Sequence, residues 1–541
     1  MKNKVNITLL GIILIIALFL RIFNLGNTPH GFHADEASFY INAVSISQNG
    51  MDEDGNSYPL SVKSFIDPKP AIYSYYQIPF INIMNDQVAA SRMPSAILGI
   101  LSILFLYLFI KKLSNQNLAL INSFVLAISP WHIMMSRGTQ EVISSFFFLT
   151  LSVYLVSLLQ EKSFTKVKVI ILTFSSFLSM YFYHSAKVLL PLVIFGLVIF
   201  YFKKTKNYIV NAGLILFITF IAAISSLLVQ ESISRASAVG ILSDKKPQAL
   251  LIEQIYNLHE ELSITTTRVF YNKVQAYSLA ITNEYMQYFS TDFLFIKGGK
   301  PFRYLVPYHG LIYLIEAPLL LFGIYLAISK KKHGWPLFLG IILLSPIPAA
   351  LTNIETPSII RSFPMVIGFS YFIALGFKEI LESKNKLFKY SLLSILIVIY
   401  LWQITYFNIQ YHIQAKYSMP WYRNNPYTQI AKEVAKISDN YDSIKITNDL
   451  RPLYSYFVME NLIDINTLQE NPNARENENY SLGKFSFNRY DCNFDEFTPN
   501  TLYIVETICK DKNGKIKNLE LVETITYNDG LEVYELLQLV E

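Results

Sequence analysis

His33-Ala34-Asp35-Glu36 sets an imidazole and two adjacent carboxylates just after the first long apolar run of the chain. Carboxylates at the edge of such a run are costly to bury and easy to use. Asp35 could take a proton from an attacking hydroxyl, or help hold a divalent metal. It could equally cap a helix that begins at Glu36. Further on, Asp67-Pro68-Lys69-Pro70 brackets one lysine with two prolines, which stiffen the backbone and fix where the cation points. That pattern fits a cation placed for a phosphate, and it also fits a solvated turn.

Three further positions carry charge between apolar runs: Arg137 with Glu141 one helical turn on, Tyr183-His184 with Lys187, and Glu355 with Arg361. Arginine grips a phosphate in bidentate fashion and lysine meets it as a point charge. The alternative for each is a side chain snorkelling to the headgroups, or a structural ion pair. His184 could ligate a metal, although no HxxE or CxxC partner accompanies it. A Gly-rich phosphate loop is absent from the sequence, which argues against an ATP-driven pump.

An apolar frame must position these residues. The chain has 541 residues, 52% hydrophobic and only 16% charged, whereas soluble domains carry about 25% charged residues. There are too few charges to coat soluble domains of this total length. The composition excludes a disordered chain, a collagen-like chain and a disulfide-dense secreted module. It predicts an α-helical polytopic membrane protein. Eleven segments approach the ~20 apolar residues that a bilayer-spanning helix needs. They lie at 7–24, 90–110, 116–134, 140–159, 167–184, 187–202, 208–229, 309–329, 334–351, 359–381 and 387–407. The first lacks a small-residue cleavage site and reads as an uncleaved anchor.

Lys and Arg cluster at 2 and 4, 111–112, 162, 166 and 168, 203, 204 and 206, 330–332, and 378, 384, 386 and 389. These clusters fall at every second connection. The positive-inside bias therefore places them, and the N-terminus, in the cytoplasm. An odd number of spans then puts the C-terminal part outside. The expected division is a membrane domain over 1–407, with long external loops 25–87 and 230–308, and an extracytoplasmic α/β domain over 408–541. The two cysteines, Cys492 and Cys509, both fall in that external part, where a spacing of 17 can close a disulfide or leave two unrelated thiols.

Within loop 25–87, Phe39, Ala43 and Ile46 share one helical face, with Tyr40 and Val44 beside it, and Tyr73, Tyr75, Tyr76 and Phe80 surround Pro79. Both stretches suit helices lying at the headgroup level, and both suit plain packing. In the tail, 426–438 suits a helix and 442–447 and 501–508 suit strands. Asn528-Asp529-Gly530 suits the turn of a hairpin between 519–527 and 531–537.

Taken in order, the motifs resemble a known family. An anchor ending at Arg21 leads to Pro29-His30-Gly31-Phe32-His33-Ala34-Asp35-Glu36-Ala37 and Lys69-Pro70-Ala71-Ile72-Tyr73. Arg92-Met93-Pro94-Ser95-Ala96 then runs on to Gly99 and Tyr107, and Ser129-Pro130-Trp131-His132 leads to Ser136-Arg137. The series resembles the GT-C membrane glycosyltransferases, in the branch of protein O-mannosyltransferases and lipid A aminoarabinose transferases. The resemblance implies transfer of a sugar from a polyprenyl-phosphate donor to a hydroxyl of a protein, lipid or envelope glycan on the extracytoplasmic face. It implies that Asp35 is the general base with Glu36 in support, and that Lys69, with Arg137, Lys187 and Arg361, meets the donor phosphate. His33, Asp67, Glu141, Tyr183 and His184 are the further substrate-contact candidates. Some relatives use a carboxylate near that lysine and a histidine to hold a metal. Here Asp67 stands two residues before Lys69, so a divalent metal stays open as a cofactor. The rival class is a transporter or lipid flippase, which would gather polar residues at the midplane and show inverted repeats.

Overall fold

The computed structural model describes residues 2–64, 67–158, 165–201, 206–229, 240–258, 261–447, 453–470, 472, 474–488, 492, 497–510 and 519–539. The predicted basic positions Lys162, Lys203 and Lys204 lie outside the described residues. Contacts divide the chain into two compact units. Unit 1 comprises Met1–Phe23 and Ser95–Gln410, and unit 2 comprises Asn24–Pro94 and Tyr411–Glu541. This division differs from the one expected from membrane topology, because the first long loop clusters with the tail.

Unit 1 is helical. It holds α1 (Lys2–Ile22). Unit 2 holds α2 (Ala34–Asn49) and α3 (Ile72–Ile81). The chain then runs through α4 (Gln87–Leu113), α5 (Gln116–Ile128), α6 (Pro130–Ser136), α7 (Glu141–Ser157), α8 (Lys166–Phe182), α9 (Ala186–Phe200) and α10 (Lys206–Val229). Apolar helices follow at Glu316–Ser329, Trp335–Leu344, Met365–Leu381 and Lys386–His412. Among the described residues, three stretches can cross a membrane by length and composition: Val5–Ile22, Gln87–Leu113 and Lys386–Lys416. The bent pair α5 and α6 makes a possible fourth. Apolar helices such as Glu141–Ser157, Ala186–Phe200 and Glu316–Ser329 run 10–17 residues, and at 1.5 Å per residue they fall short of the ~30 Å core. The count of eleven is therefore not established. The expected single span 116–134 is two helices meeting at 62°. Pro130 cannot donate an amide into a continuing helix. Ser129 instead caps α6 by accepting from the His132 amide at 3.5 Å.

Small residues let the helices of unit 1 approach closely, as apolar surroundings favour. A Cβ added to Gly323 would come within 1.9 Å of the Phe372 carbonyl oxygen, and one on Gly376 within 2.3 Å of that of Leu319. Backbone therefore packs directly on backbone between Glu316–Ser329 and Met365–Leu381. Helices α7 and α8 are stitched by Ser145 Oγ donating to the Ser179 carbonyl at 2.7 Å and by the Ser152–Ser175 hydroxyl pair at 2.8 Å.

Unit 2 is mixed α/β. Its sheet runs β4-β5-β3-β6-β8-β7. These strands are β3 (Ser443–Ile446), β4 (Asn479–Leu482), β5 (Phe485–Asn488), β6 (Thr501–Glu506), β7 (Leu519–Thr526) and β8 (Glu532–Leu539). Strand β3 is parallel to β5 and β6, and the other pairs are antiparallel. The predicted helix is Asn425–Ile437. The predicted 519–537 hairpin forms around Asn528-Asp529-Gly530, with Gly530 at φ 88°, a value that an L side chain resists. Phe32, Ala37, Tyr40 and Ile41 share one hydrophobic core with Ile430, Val434, Ile444, Phe457 and Leu502. The expectation that α2 lies on the lipid surface is therefore corrected. Phe39, Ala43 and Ile46 are all under 7% exposed, and the apolar face is spent on protein packing.

A buried polar group ties loop to tail inside unit 2. Glu53 accepts from Asn42 Nδ2 at 3.1 Å and from Tyr454 Oη at 3.0 Å, and it pairs with Arg475. Burial pushes the Glu53 carboxyl upward, and the Arg475 guanidinium pulls against it. Cys492 and Cys509 are joined in a disulfide with Cα atoms 5.1 Å apart and a sequence separation of 17. Closing a loop of that length removes about 3 kcal/mol of denatured-state entropy. Changing both cysteines to alanine should lower unit 2 stability by about that much. The thermal midpoint of the intact chain with and without reductant reads the effect.

Candidate active site

The acidic motif opens α2, and its local geometry separates the two carboxylates. His33 is the N-cap, with φ −68° and ψ 152°, and its Nδ1 accepts from the Asp35 amide at 3.1 Å. Glu36 Oε2 accepts in return from the His33 amide at 3.1 Å, which completes a capping box. The sequence also allowed Asp35 as the cap. The structure corrects this, because His33 does the capping.

Glu36 is fully buried and saturated. Arg92, at the start of α4, reaches it with Nε to Oε1 and Nη2 to Oε2, both at 3.0 Å. Arg423 adds a contact at 3.3 Å. Arg92 also donates to the carbonyls of Leu25, Pro29 and Gly31 at 3.1, 2.9 and 2.6 Å. One guanidinium thereby gathers the turns and bends of 25–31 around itself and holds the first turn of α2. The Tyr456 hydroxyl holds the Phe32 carbonyl at 2.6 Å. Glu36 is in this way held by Arg92, Arg423 and the His33 amide; the resemblance gives it a supporting part beside Asp35. Arg92 stands in the Arg92-Met93-Pro94 motif, but sequence reasoning gave it no role. Its signal was a lone cation inside an otherwise apolar segment.

Asp35 faces a different environment. Its side chain keeps 23% exposure, and Lys69 Nζ lies 3.8 Å from its Oδ1. His33 Nδ1 is 3.5 Å from Oδ2. Lys69 is held by a two-stranded hairpin of β1 (Ser61–Ser64) and β2 (Asp67–Pro70), in which it pairs with Val62. The proline-flanked motif is thus an edge strand rather than a turn, a place that tolerates residues lacking an amide hydrogen. Ser38 on α2 donates to the Lys63 carbonyl at 3.1 Å, which fastens the hairpin beside Asp35. The backbone of Asp67 belongs to β2; its side chain is outside what is described. Among the described residues, no group of three or more His, Cys, Asp or Glu could hold a metal. His33 and Asp35 alone make an incomplete donor set.

The remaining candidates belong to unit 1. Arg137 ends α6 and Glu141 opens α7, so the two do not share a helical turn as their spacing suggested. Arg137 is fully buried, and it donates to the carbonyls of Leu20 and Phe23 at 2.8 and 2.7 Å. Those carbonyls end α1, where a cation complements the helix dipole. Arg21 likewise donates to the carbonyls of Ala17 and Ala127 and meets His132 Nδ1 at 2.8 Å. Ser102 Oγ lies 3.0 Å from the other ring nitrogen. The quoted Ser-Pro-Trp-His and Ser-Arg motifs are thus the brace that holds α1, α5 and α6 together. Lys187 Nζ sits 3.3 Å from His184 Nδ1, next to Tyr183. Arg361 Nη1 donates to Thr352 Oγ1 at 2.8 Å and to the Ile354 carbonyl at 2.5 Å, while Glu355 pairs with Arg303 at 3.1 Å.

Residues 68–225 match the family model of dolichyl-phosphate-mannose-protein mannosyltransferases. Among curated proteins none matches the chain in sequence. Among solved structures, ArnT from Cupriavidus metallidurans bound to undecaprenyl phosphate aligns with a TM-score of 0.55 at 7% identity, over 99% of this chain and 97% of that one. Its apo form aligns at 0.53 and 8%, over 99% and 98%. The Archaeoglobus fulgidus oligosaccharyltransferase tethered to an acceptor peptide scores 0.48 at 12% identity over 85% of this chain, and this chain spans 63% of its length. The chain thus resembles the GT-C membrane glycosyltransferases of the mannosyltransferase and ArnT branch, in fold along its length and in family signature over residues 68–225.

Proposed function

We propose that this protein is an integral membrane glycosyltransferase that moves a sugar from a polyprenyl-phosphate donor to a hydroxyl acceptor on the extracytoplasmic face, with inversion. The observation that carries the reading is the split of the acidic pair. Glu36 is consumed by Arg92, while Asp35 keeps 23% exposure with Lys69 at 3.8 Å. In the reaction, the acceptor oxygen forms a bond to the anomeric carbon as the bond from that carbon to the phosphate oxygen breaks. The electron pair leaves with the phosphate, and the acceptor proton passes to Asp35. The phosphate is already a competent leaving group, so a cation near the developing charge does more than a strong acid would. Lys69 is that cation. His33 fixes the first turn of α2 and so the direction of the carboxylate. The match of residues 68–225 to a mannosyltransferase family and the fold shared with an undecaprenyl-phosphate-bound ArnT support the donor class. The basic clusters at alternate connections support a cytoplasmic N-terminus and an outer-face site.

Lys69→Ala tests the reading. Transfer should fall on the order of 10²- to 10³-fold through lost stabilisation of the leaving phosphate, and Lys69→Arg should restore part of it. Transfer by Lys69→Ala at the wild-type rate would contradict the proposal.

A further inference from the structure

Inside unit 2, a chain of polar contacts runs from the tail to the hairpin that carries Lys69. Asp35, Ser38 and Asn42 stand at i, i+3 and i+7 on α2 and so share one helical face. Each meets a different segment. Asp35 lies 3.8 Å from Lys69 on β2. Ser38 Oγ donates to the Lys63 carbonyl on β1 at 3.1 Å. Asn42 grips Glu53, in the loop that leads into β1, with Nδ2 donating to Oε1 at 3.1 Å and Oδ1 accepting from the Glu53 amide at 3.0 Å. Both Asn42 and Glu53 are buried.

The loop is closed on itself. Asp52 Oδ1 accepts from the amides of Asp54 and Asn56 at 3.0 and 2.8 Å, and the Tyr58 amide donates to the Gly50 carbonyl at 2.8 Å. The tail holds this loop from the other side. Arg475, in the short turn Ala474–Glu476, pairs with the carboxylates of Glu53 and Asp54 and donates to the Glu53 carbonyl at 3.2 Å. Gln469 Nε2 donates to the Asp52 carbonyl at 3.0 Å and to Ser45 Oγ on α2 at 2.8 Å. Asp54 in turn faces Lys63 Nζ on β1 at 3.9 Å. Apolar packing would hold tail and loop together without the cost of burying charge. A planar guanidinium adds register, because its fork fixes two successive residues at once. A misplacement of ~1 Å at a reacting centre can cost about 10²-fold in rate. We propose that Arg475 is a positioning residue for sugar transfer: by fixing Glu53 and Asp54 it sets the base of the β1–β2 hairpin, and with it the place of Lys69 beside Asp35. The proposal rests on the function given above and makes the tail a working part of that site.

Arg475→Lys in the full chain tests this. Lysine keeps a cation against Glu53, so the buried carboxylate is not orphaned, but one ammonium does not reproduce the planar fork. The kcat for transfer should fall on the order of tenfold with the acceptor KM unchanged. Arg475→Gln should fall further. In a Lys69→Ala background, Arg475→Lys should cost less than about twofold, because the residue it positions is gone. The disulfide-free variant, Cys492→Ala with Cys509→Ala, loses stability with Arg475 in place, and below its thermal midpoint it should keep the wild-type kcat. An unchanged kcat in Arg475→Lys would overturn the proposal. So would equal losses from Arg475→Lys in the two backgrounds, or the same loss in the disulfide-free variant. Slow transfer by Lys69→Ala beside wild-type transfer by Arg475→Lys would strike this inference alone, whereas wild-type transfer by Lys69→Ala would strike the function on which it rests.

Discussion

Asp35→Asn should reduce sugar transfer by on the order of 10²- to 10⁴-fold, the contribution of a positioned general base, while leaving the fold and donor affinity near wild type. The geometry isolates the chemistry in this variant. His33, not Asp35, caps α2, through the Asp35 amide and the Glu36 side chain. The asparagine keeps that amide, keeps an oxygen facing Lys69, and removes only the capacity to accept a proton. Donor affinity, read by titration with polyprenyl phosphate, and the thermal midpoint should therefore stay close to wild type while kcat collapses. His33→Ala should behave in the opposite way, losing about 1 kcal/mol of stability through the lost cap. Full activity in Asp35→Asn would remove Asp35 from the reaction.

Arg92→Met should be the most destabilising single change in unit 2. Arg92 and Glu36 are both inaccessible to solvent and share two 3.0 Å hydrogen bonds. Removing the cation leaves a buried carboxylate with the His33 amide at 3.1 Å and Arg423 at 3.3 Å in place of the paired guanidinium, and it takes the donor from three backbone carbonyls. Breaking such a pair costs about 3–5 kcal/mol. Glu36→Gln alone should also destabilise. The double variant should cost clearly less than the two singles together, because the orphaned charge is gone. Denaturation midpoints of the four proteins supply the cycle. Strict additivity would mean that Arg92 and Glu36 do not act as a pair.

Much of the frame could be read from the chain, for identifiable reasons. The 425–437 helix, the 443–446 and 501–506 strands and the final hairpin have strong periodicity and turn chemistry. Strands β4 and β5 were not foreseen, although Tyr480, Leu482, Phe485 and Phe487 alternate inward around Gly483 at φ 60°. The break at Ser129-Pro130 was also written in the sequence, but hydropathy averaged it into one span. In the candidate site, Asp35 and Lys69 stood out in the sequence as charge where charge is scarce. The different fates of Asp35 and Glu36 were not. They depend on Arg92, 56 residues away from Glu36 along the chain, and no local pattern reports a partner at that separation. The same holds for Glu53, which meets Arg475 only because loop and tail share one core.

The most direct test is chemical. The purified full-length chain is incubated with polyprenyl-phosphate sugars of defined anomeric configuration and simple hydroxyl acceptors, and the products are read by NMR. Free polyprenyl phosphate should appear in step with a glycoside of inverted configuration, and Asp35→Asn should form both on the order of 10²- to 10⁴-fold more slowly. A glycoside of retained configuration, or equal turnover by the two proteins, would contradict the proposed mechanism.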